Sequence, residues 1–304
     1  MKKLLQNLQI DTEYLTDDLF TQKGITLAVL RLDKIHPIIS GNKLFKLQYL
    51  LQDAIQTPDQ KIITFGGAFS NHLVATAFAC RQNNLSCIGI VRGERPVQLS
   101  HTLHNCLHFG MELQFVSRQE YSKKEQPDFI MQLKKRWGAA VIIPEGGYHP
   151  LGAKGAAAIM NYIAGDTTHI ACATGTATTL AGLVAAAKAH QQVLAFPALK
   201  GCTDTLERLA FLNEPSLQPQ QLHIETAYHF GGYAKHTPSL IAFMNQLYEQ
   251  YQLPTDFVYT AKMMYGVLDL IKNDFFKPGS NIVCVHTGGL QGNLSLQKNL
   301  LTFG

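Results

Sequence analysis

Lys43 stands at the head of an apolar-periodic segment, in the run Ser40-Gly41-Asn42-Lys43-Leu44-Phe45-Lys46-Leu47-Gln48-Tyr49-Leu50-Leu51. Leu44, Leu47, Leu50, Leu51 and Ala54 recur at helical spacing, so the lysine falls at a helix start, where a positive charge is electrostatically disfavoured. If the amine is also buried its pKa falls, and an unprotonated amine can attack a carbonyl carbon. Taken alone, the same pattern describes a solvated helix-entry lysine.

Further stretches place a glycine-containing turn between a strand end and a helix, the position at which parallel sheets bind ligands. In Thr64-Phe65-Gly66-Gly67-Ala68-Phe69-Ser70-Asn71-His72 the glycines allow close backbone approach, while Ser70 and Asn71 offer a hydroxyl and an amide or serve only as helix caps. In Cys172-Ala173-Thr174-Gly175-Thr176-Ala177-Thr178-Thr179-Leu180-Ala181-Gly182 a Gly/Thr-rich turn offers free N–H groups, hydroxyls and a favourable helix dipole to an anion. Neither G-x-x-x-x-G-K-[ST] nor G-x-G-x-x-G occurs there, so a small monophosphate fits better than a nucleoside triphosphate or dinucleotide. Val285-His286-Thr287-Gly288-Gly289-Leu290-Gln291-Gly292-Asn293 is a third such turn, with the Thr287 hydroxyl placed to meet a ring nitrogen. Tyr233 and Tyr259 are the remaining candidates, each an ordinary core or rim tyrosine when taken singly.

Positioning these groups takes an alternation of strands and helices. Strands are expected at residues 25–32, 61–65, 86–91, 113–116, 140–143, 169–173, 193–196, 222–226 and 281–286. Helices are expected at 43–54, 71–82, 97–109, 129–137, 152–163, 179–190, 238–251 and 261–272, with a short one near the N-terminus. The polar run 117–126 reads as a surface excursion and 213–220, with two prolines, as a loop. Short apolar strands between helical patterns argue a parallel sheet covered on both faces. A chain of 304 residues with 46% hydrophobic content supports two lobes, crossed near Lys46 and near Gly146, Gly147, Gly152 and Gly155.

Net charge is only +4 and the basic residues are scattered, so nucleic acid is not an indicated partner. The six cysteines show no C-x-x-C spacing and most sit in apolar runs, as expected in a reducing cytoplasm. Gln6, Asn7 and Gln9 interrupt what would have to be the apolar core of a secretory signal, and no apolar run reaches membrane-spanning length. His101, His104 and His108, with Cys106 nearby, fall at helical spacing but lack a carboxylate or second ligand pair, so no metal site is expected.

In this order, from about Leu30 to about Asn293, the stretches resemble the family of pyridoxal-phosphate enzymes that contains 1-aminocyclopropane-1-carboxylate (ACC) deaminase and D-cysteine desulfhydrase. The resemblance implies an α/β, two-domain, tryptophan-synthase-β-like fold (fold type II) with parallel sheets flanked by helices. Residues 1–46 and 154–304 would form the large cofactor-binding domain and 47–153 a small inserted one. It implies that Lys43 forms the Schiff base with pyridoxal 5'-phosphate and that Ser70 lies beside the substrate as nucleophile or base. Asn71 would hold the ring, Thr174, Gly175, Thr176, Ala177, Thr178 and Thr179 the phosphate, and Thr287 the ring nitrogen. Tyr233 and Tyr259 fall on the two family tyrosines, and a homodimer acting on a small amino acid is implied.

The residue chemistry agrees, since this cofactor needs an amine, a phosphate cradle, a partner for the pyridine nitrogen and a group that moves a substrate proton. Within the family, deaminases carry a glutamate after the second tyrosine and a leucine in the H-x-G-G turn; the desulfhydrases carry small hydroxyl residues at both. Thr260 and Thr287 therefore favour D-cysteine, giving pyruvate, hydrogen sulfide and ammonia, with ACC deamination to 2-oxobutyrate as the alternative. Phe69 replaces the glutamine usual before the serine, and Ala177 and Thr178 replace glycines of the phosphate loop. A serine hydrolase built on Ser70 lacks its G-x-S-x-G elbow, and a non-catalytic carrier of the cofactor would keep Lys43 without turning over an amino acid.

Overall fold

Two sheets carry the described residues, 8–213 and 221–303, of the computed structural model. Their strands are β1 (Thr12–Leu15), β2 (Thr26–Leu30), β3 (Lys61–Gly66), β4 (Ser86–Arg92), β5 (Glu112–Val116), β6 (Val141–Ile143), β7 (His169–Thr174), β8 (Gln192–Pro197), β9 (Leu222–Ile224) and β10 (Asn281–Val285). One sheet runs β1-β2-β10-β7-β8-β9 and the other β5-β4-β3-β6. All pairings within them are parallel except that of β1 with β2. The four-stranded sheet comes from one continuous segment, whereas the six-stranded sheet joins chain from both sides of it.

Successive side chains of a strand point to opposite faces, and both faces of the large sheet are dry. Ala28, Leu30, Cys172 and Val285 share one buried cluster with Leu44 and Leu47 of the Lys43–Gln56 helix and Leu180 of the Thr178–Ala186 helix. Their neighbours Leu27, Val29, Ala173 and Cys284 pack on the other face against Met263, Met264 and Val267 of the Thr260–Lys272 helix. Each fully buried aliphatic side chain here stabilises the fold by roughly 1.5–3 kcal/mol. Helices on the first face come very close: a Cβ on Gly182 would lie 2.5 Å from the Ala157 nitrogen, so only glycine lets Thr178–Ala186 cross Pro150–Ala157 there.

The expected strands and helices are present, most with ends shifted by a few residues. The N-terminal segment differs. It holds the edge strand Thr12–Leu15 and the helix Asp18–Lys23, while residues 1–7, on which the expected helix partly falls, lie outside the described residues. Residues 118–121 of the polar run form a helical turn fixed by a capping box between Ser117 and Glu120. Thr205–Asn213 is helical, and the rest of the expected 213–220 loop lies outside the described residues. All six cysteines are free thiols. Among the described residues no helix is long and apolar enough to cross a membrane.

Candidate active site

The reactive end of the site begins with a tight turn. Gly41 has φ +72°, and a Cβ there would lie 1.9 Å from the carbonyl oxygen of Thr287, so only glycine allows the turn to sit against the end of β10. The backbone N–H of Asn42 then donates to that oxygen at 3.2 Å. Asn42 is buried; its Nδ2 donates to Thr179 Oγ1 at 2.7 Å, and its Oδ1 accepts from Lys43 Nζ at 2.7 Å. Lys43 is the first residue of its helix, half-buried and opening onto a cleft. Desolvation by the surrounding protein brings its ammonium down to about 8, even though the carboxylate of Asp256 pulls the other way. At about pH 7 this leaves roughly a tenth of the lysines as free amine, against well under a thousandth for an ordinary lysine.

Across from the amine, the Thr174–Thr179 turn leads from β7 into the Thr178–Ala186 helix. No side chain caps that helix, and Ala177 at its N-cap holds φ +61°, in the left-handed region. Thr176 and Thr178 share a hydroxyl contact at 2.9 Å. An alanine in a glycine's conformation costs about 1 kcal/mol, so the loop keeps its anion-binding shape at some expense. Gly146 and Gly147 close this end: a Cβ on Gly146 would touch Thr176 at 2.9 Å, and one on Gly147 would lie 3.6 Å from Lys46 Cε. Lys46, buried one helical turn beyond Lys43, brings a second amine to the anion end, and burial together with the charge of Lys43 holds its pKa well below the ordinary value.

The opposite wall is the start of the Asn71–Gln82 helix. Ser70 caps it, accepting from the Leu73 N–H at 3.3 Å, and still lines the cleft. Asn71 donates from Nδ2 to the Gly289 carbonyl oxygen at 3.3 Å, while its buried Oδ1 has no partner among the described residues. Phe69 is half exposed and rests 5.9 Å from the His101 ring, at the mouth.

Tyr233 and Tyr259 meet edge to face, 6.0 Å between centroids. A Cβ on Gly175 would lie 3.1 Å from Tyr259 Oη, so this phenol sits over the anion loop. Burial first, then Tyr233 and Asp256, push its pKa well above the ordinary value, and the hydroxyl keeps its proton. Asp256 organises the backbone beneath. Its carboxylate accepts from the N–H groups of Val258, Tyr259 and Thr260, each at 2.9 Å. Thr260 donates its hydroxyl to Asp256 Oδ1 at 2.7 Å and is fully buried, away from the cleft. Thr287 does line the cleft. Buried Lys262 donates to the Gly232 carbonyl oxygen at 2.7 Å and so pins the turn that carries Tyr233.

All the candidate residues (Lys43, Ser70, Asn71, Thr174, Gly175, Thr176, Ala177, Thr178, Thr179, Tyr233, Tyr259 and Thr287) line one cleft of about 620 Å³. Sequence reasoning missed Lys46, His72 and Asp256, which line it too. Periodicity did not mark Lys46: two residues after Leu44 and one before Leu47, it falls outside the helix face those leucines share. Among the described residues no group of three or more His, Cys, Asp or Glu side chains is placed to hold a metal ion. A pyridoxal phosphate fits what is present. The uncapped helix and buried Lys46 suit its phosphate, the unpartnered Asn71 Oδ1 suits a ring substituent, and the Lys43 amine suits its aldehyde.

Residues 14–288 match the family model of pyridoxal-phosphate dependent enzymes, and the chain belongs to that family. Its architecture is the tryptophan-synthase-β-like fold of type II, with parallel sheets flanked by helices. A putative 1-aminocyclopropane-1-carboxylate deaminase of Pyrococcus furiosus is 29% identical over 298 residues, covering 92% of this chain and 89% of the relative. The bifunctional D-cysteine desulfhydrase/1-aminocyclopropane-1-carboxylate deaminase of Arabidopsis thaliana, a mitochondrial protein, is 29% identical over 302 residues, covering 88% and 73%. A crystal structure of an ACC deaminase homologue superposes with TM-score 0.76 at 25% identity, covering 95% of this chain and 92% of that one.

Proposed function

We propose that this chain is a pyridoxal-phosphate dependent lyase acting on a small amino acid, with D-cysteine and water giving pyruvate, hydrogen sulfide and ammonia. The observation that carries the reading is the Lys43 amine, lowered to about 8, opening on the same cleft as an uncapped, threonine-rich helix start. Bound there, the cofactor would supply an electron sink for the substrate's carbon skeleton.

The protein's own groups divide the remaining work. Lys43 would hold the cofactor, and its amine is the base placed to take the substrate's Cα proton. Ser70 sits on the opposite wall as the second group able to pass a proton. Asn71 would hold the ring through its free Oδ1, and Thr287 would offer the ring nitrogen a neutral hydroxyl. The Thr174–Thr179 loop and Lys46 would hold the phosphate. Tyr259, kept protonated by its surroundings, donates to the departing group, with Tyr233 at its edge.

Preference for D-cysteine over ACC rests on Thr287, a small hydroxyl residue in the cleft where the deaminases resembling this chain carry leucine. Thr260 lends less weight than its type suggests, because its hydroxyl is spent on Asp256. Deamination of ACC to 2-oxobutyrate is the second reading, favoured by the similarity to the deaminases of Pyrococcus furiosus and Arabidopsis thaliana. We place the small domain at residues 47–153 and the large one at 1–46 and 154–304, in keeping with the sheet membership of the strands. We also propose a homodimer working in the cytoplasm.

The test offers D-cysteine, L-cysteine and ACC separately to the purified protein and identifies the 2-oxo acid by mass spectrometry. Pyruvate from D-cysteine alone is the expected result. Oxobutyrate from ACC without pyruvate from D-cysteine overturns the substrate assignment, and a Lys43→Ala protein that still holds a borohydride-reducible cofactor overturns the site.

A further inference from the structure

Two polar groups at the closed end of the cleft have no hydrogen-bond partner there among the described residues. One is His72 Nδ1, buried on a side chain 4% exposed, and the other is the amine of Lys46, whose residue is likewise 4% exposed. Both side chains line the cleft and pack on the same backbone: a Cβ built on Gly147 would lie 3.6 Å from Lys46 Cε and 3.9 Å from His72 Cε1. The adjacent Gly146 is held against Thr176 of the anion loop.

Thr64 decides which ring nitrogen of His72 carries the proton. Its hydroxyl has one hydrogen, which it donates to the carbonyl oxygen of Ile143 on the neighbouring strand at 2.9 Å. The 2.8 Å contact between Thr64 Oγ1 and His72 Nε2 therefore runs the other way, with Nε2–H donating. Nδ1 is left as a bare acceptor. A second proton on the ring is opposed by burial first, and then by the charges of Lys43 and Lys46. A bare imidazole nitrogen does not hold an anion; it needs a donor. A donor packed on the same Gly147 backbone is Lys46.

We propose that His72 is a positioning residue whose Nδ1 accepts a hydrogen bond from the Lys46 ammonium and so aims that ammonium at an anion seated on the Thr174–Thr179 loop. The proposal rests on the reading that the phosphate of the cofactor occupies this loop. A phosphate dianion there favours the charged form of Lys46. The ammonium then donates to two acceptors, the phosphate in front and His72 behind.

Two substitutions separate the halves of the ring. Asn places its amide oxygen where Nδ1 stands, whereas Gln reaches the position of Nε2 and can donate to Thr64 but offers no acceptor toward Lys46. Equilibrium dissociation of pyridoxal 5'-phosphate and of pyridoxal from the full chain, followed by cofactor absorbance, reads the difference without turnover. In His72→Gln the phosphorylated cofactor is expected to bind about tenfold more weakly or worse, with pyridoxal unchanged within about twofold. His72→Asn is expected to recover most of the loss. Gln binding the phosphorylated cofactor like wild type, Asn failing as badly as Gln, or pyridoxal weakening in parallel each overturn the proposal. If the wild-type protein holds pyridoxal as tightly as its phosphate, the phosphate reading itself fails. Nitrogen-15 resonances of His72 in the wild-type holoprotein give a check that no variant's folding can spoil: Nε2 protonated with Nδ1 bare is expected, and a proton on Nδ1 overturns the proposal.

Discussion

Asn42 Nδ2 donates to Thr179 Oγ1 at 2.7 Å, tying the turn before the reactive lysine to the helix start that faces it across the cleft. The same residue accepts from Lys43 through Oδ1 at 2.7 Å. One buried amide thus sets the spacing between the amine and the anion loop, which must match the distance from aldehyde to phosphate in the cofactor.

Asn42→Asp keeps the acceptor for Lys43, loses the donor to Thr179 and places a negative charge near the anion loop. Cofactor affinity is expected to fall by about tenfold or more, since hydrogen bonds involving charged groups are worth roughly 1.5–3 kcal/mol. The covalent attachment to Lys43 should persist. Titration of the protein with pyridoxal 5'-phosphate, with borohydride trapping, measures both.

Lys43 is expected to be a net cost to the cofactor-free chain. Its pKa of about 8 in the fold, against an ordinary 10.5, means that the folded chain binds fewer protons than the unfolded one between those values. Below about pH 8 the full cost of a desolvated ammonium is present, and it is relieved as the pH rises toward 10.5. Lys43→Met should therefore raise stability at about pH 7 by roughly 1–2 kcal/mol, allowing for screening by solvent in the cleft and the lost contact with Asn42. Urea unfolding of the cofactor-free protein across this range checks the sign; a gain that grows with pH would contradict it.

Much of this site was legible because its residues break the pattern of the elements that carry them. Gly41, Gly175 and the Gly288-Gly289 pair interrupt strand-to-helix junctions, and Ser70 and Asn71 are polar residues ahead of an apolar helix. The edge strand β1 was not legible: Thr12–Leu15 is short, polar on one side, and made a strand only by pairing with β2. His72 and Asp256 were hidden for a related reason. Each looks like a residue of its own turn, and its meaning lies in partners far along the chain or in the cleft, Gly147 and Lys46 for the histidine, Lys43 for the aspartate. Thr260 has a structural partner that its type did not announce: its hydroxyl closes the turn with Asp256.

Ser70 has two separable duties. Ser70→Ala should remove the cap on Leu73 and cost about 1 kcal/mol of stability, besides lowering turnover. Ser70→Asn restores an N-cap without a hydroxyl, so stability should return to within about 0.5 kcal/mol while turnover stays down by roughly 10²-fold or more. Parallel thermal melts and product assays distinguish the duties. An asparagine variant as active as wild type would remove Ser70 from the chemistry.

Asp256→Asn tests the electrostatics behind the lysine. The carboxylate favours the ammonium of Lys43, so its loss should move the midpoint of cofactor attachment against pH downward, below about 8. The variant should also lose about 1–3 kcal/mol, because an amide oxygen replaces a carboxylate that accepts from three backbone N–H groups. Stopped-flow attachment rates over a pH series supply the midpoint. A shift upward would show that another group governs the amine.

The order in which the strands are strung along the chain has a consequence during synthesis. β3 to β6 lie within one stretch of sequence, so the small sheet can close as soon as Ile143 has left the ribosome. The large sheet must wait. β10, which joins β2 to β7, is the last strand among the described residues, and the Thr287 carbonyl that seats the Gly41–Asn42 turn emerges just after it. A nascent chain that has not yet reached β10 lacks the strand end against which the Gly41–Asn42 turn packs, so the reactive amine is expected to take up its place only once β10 has joined the sheet.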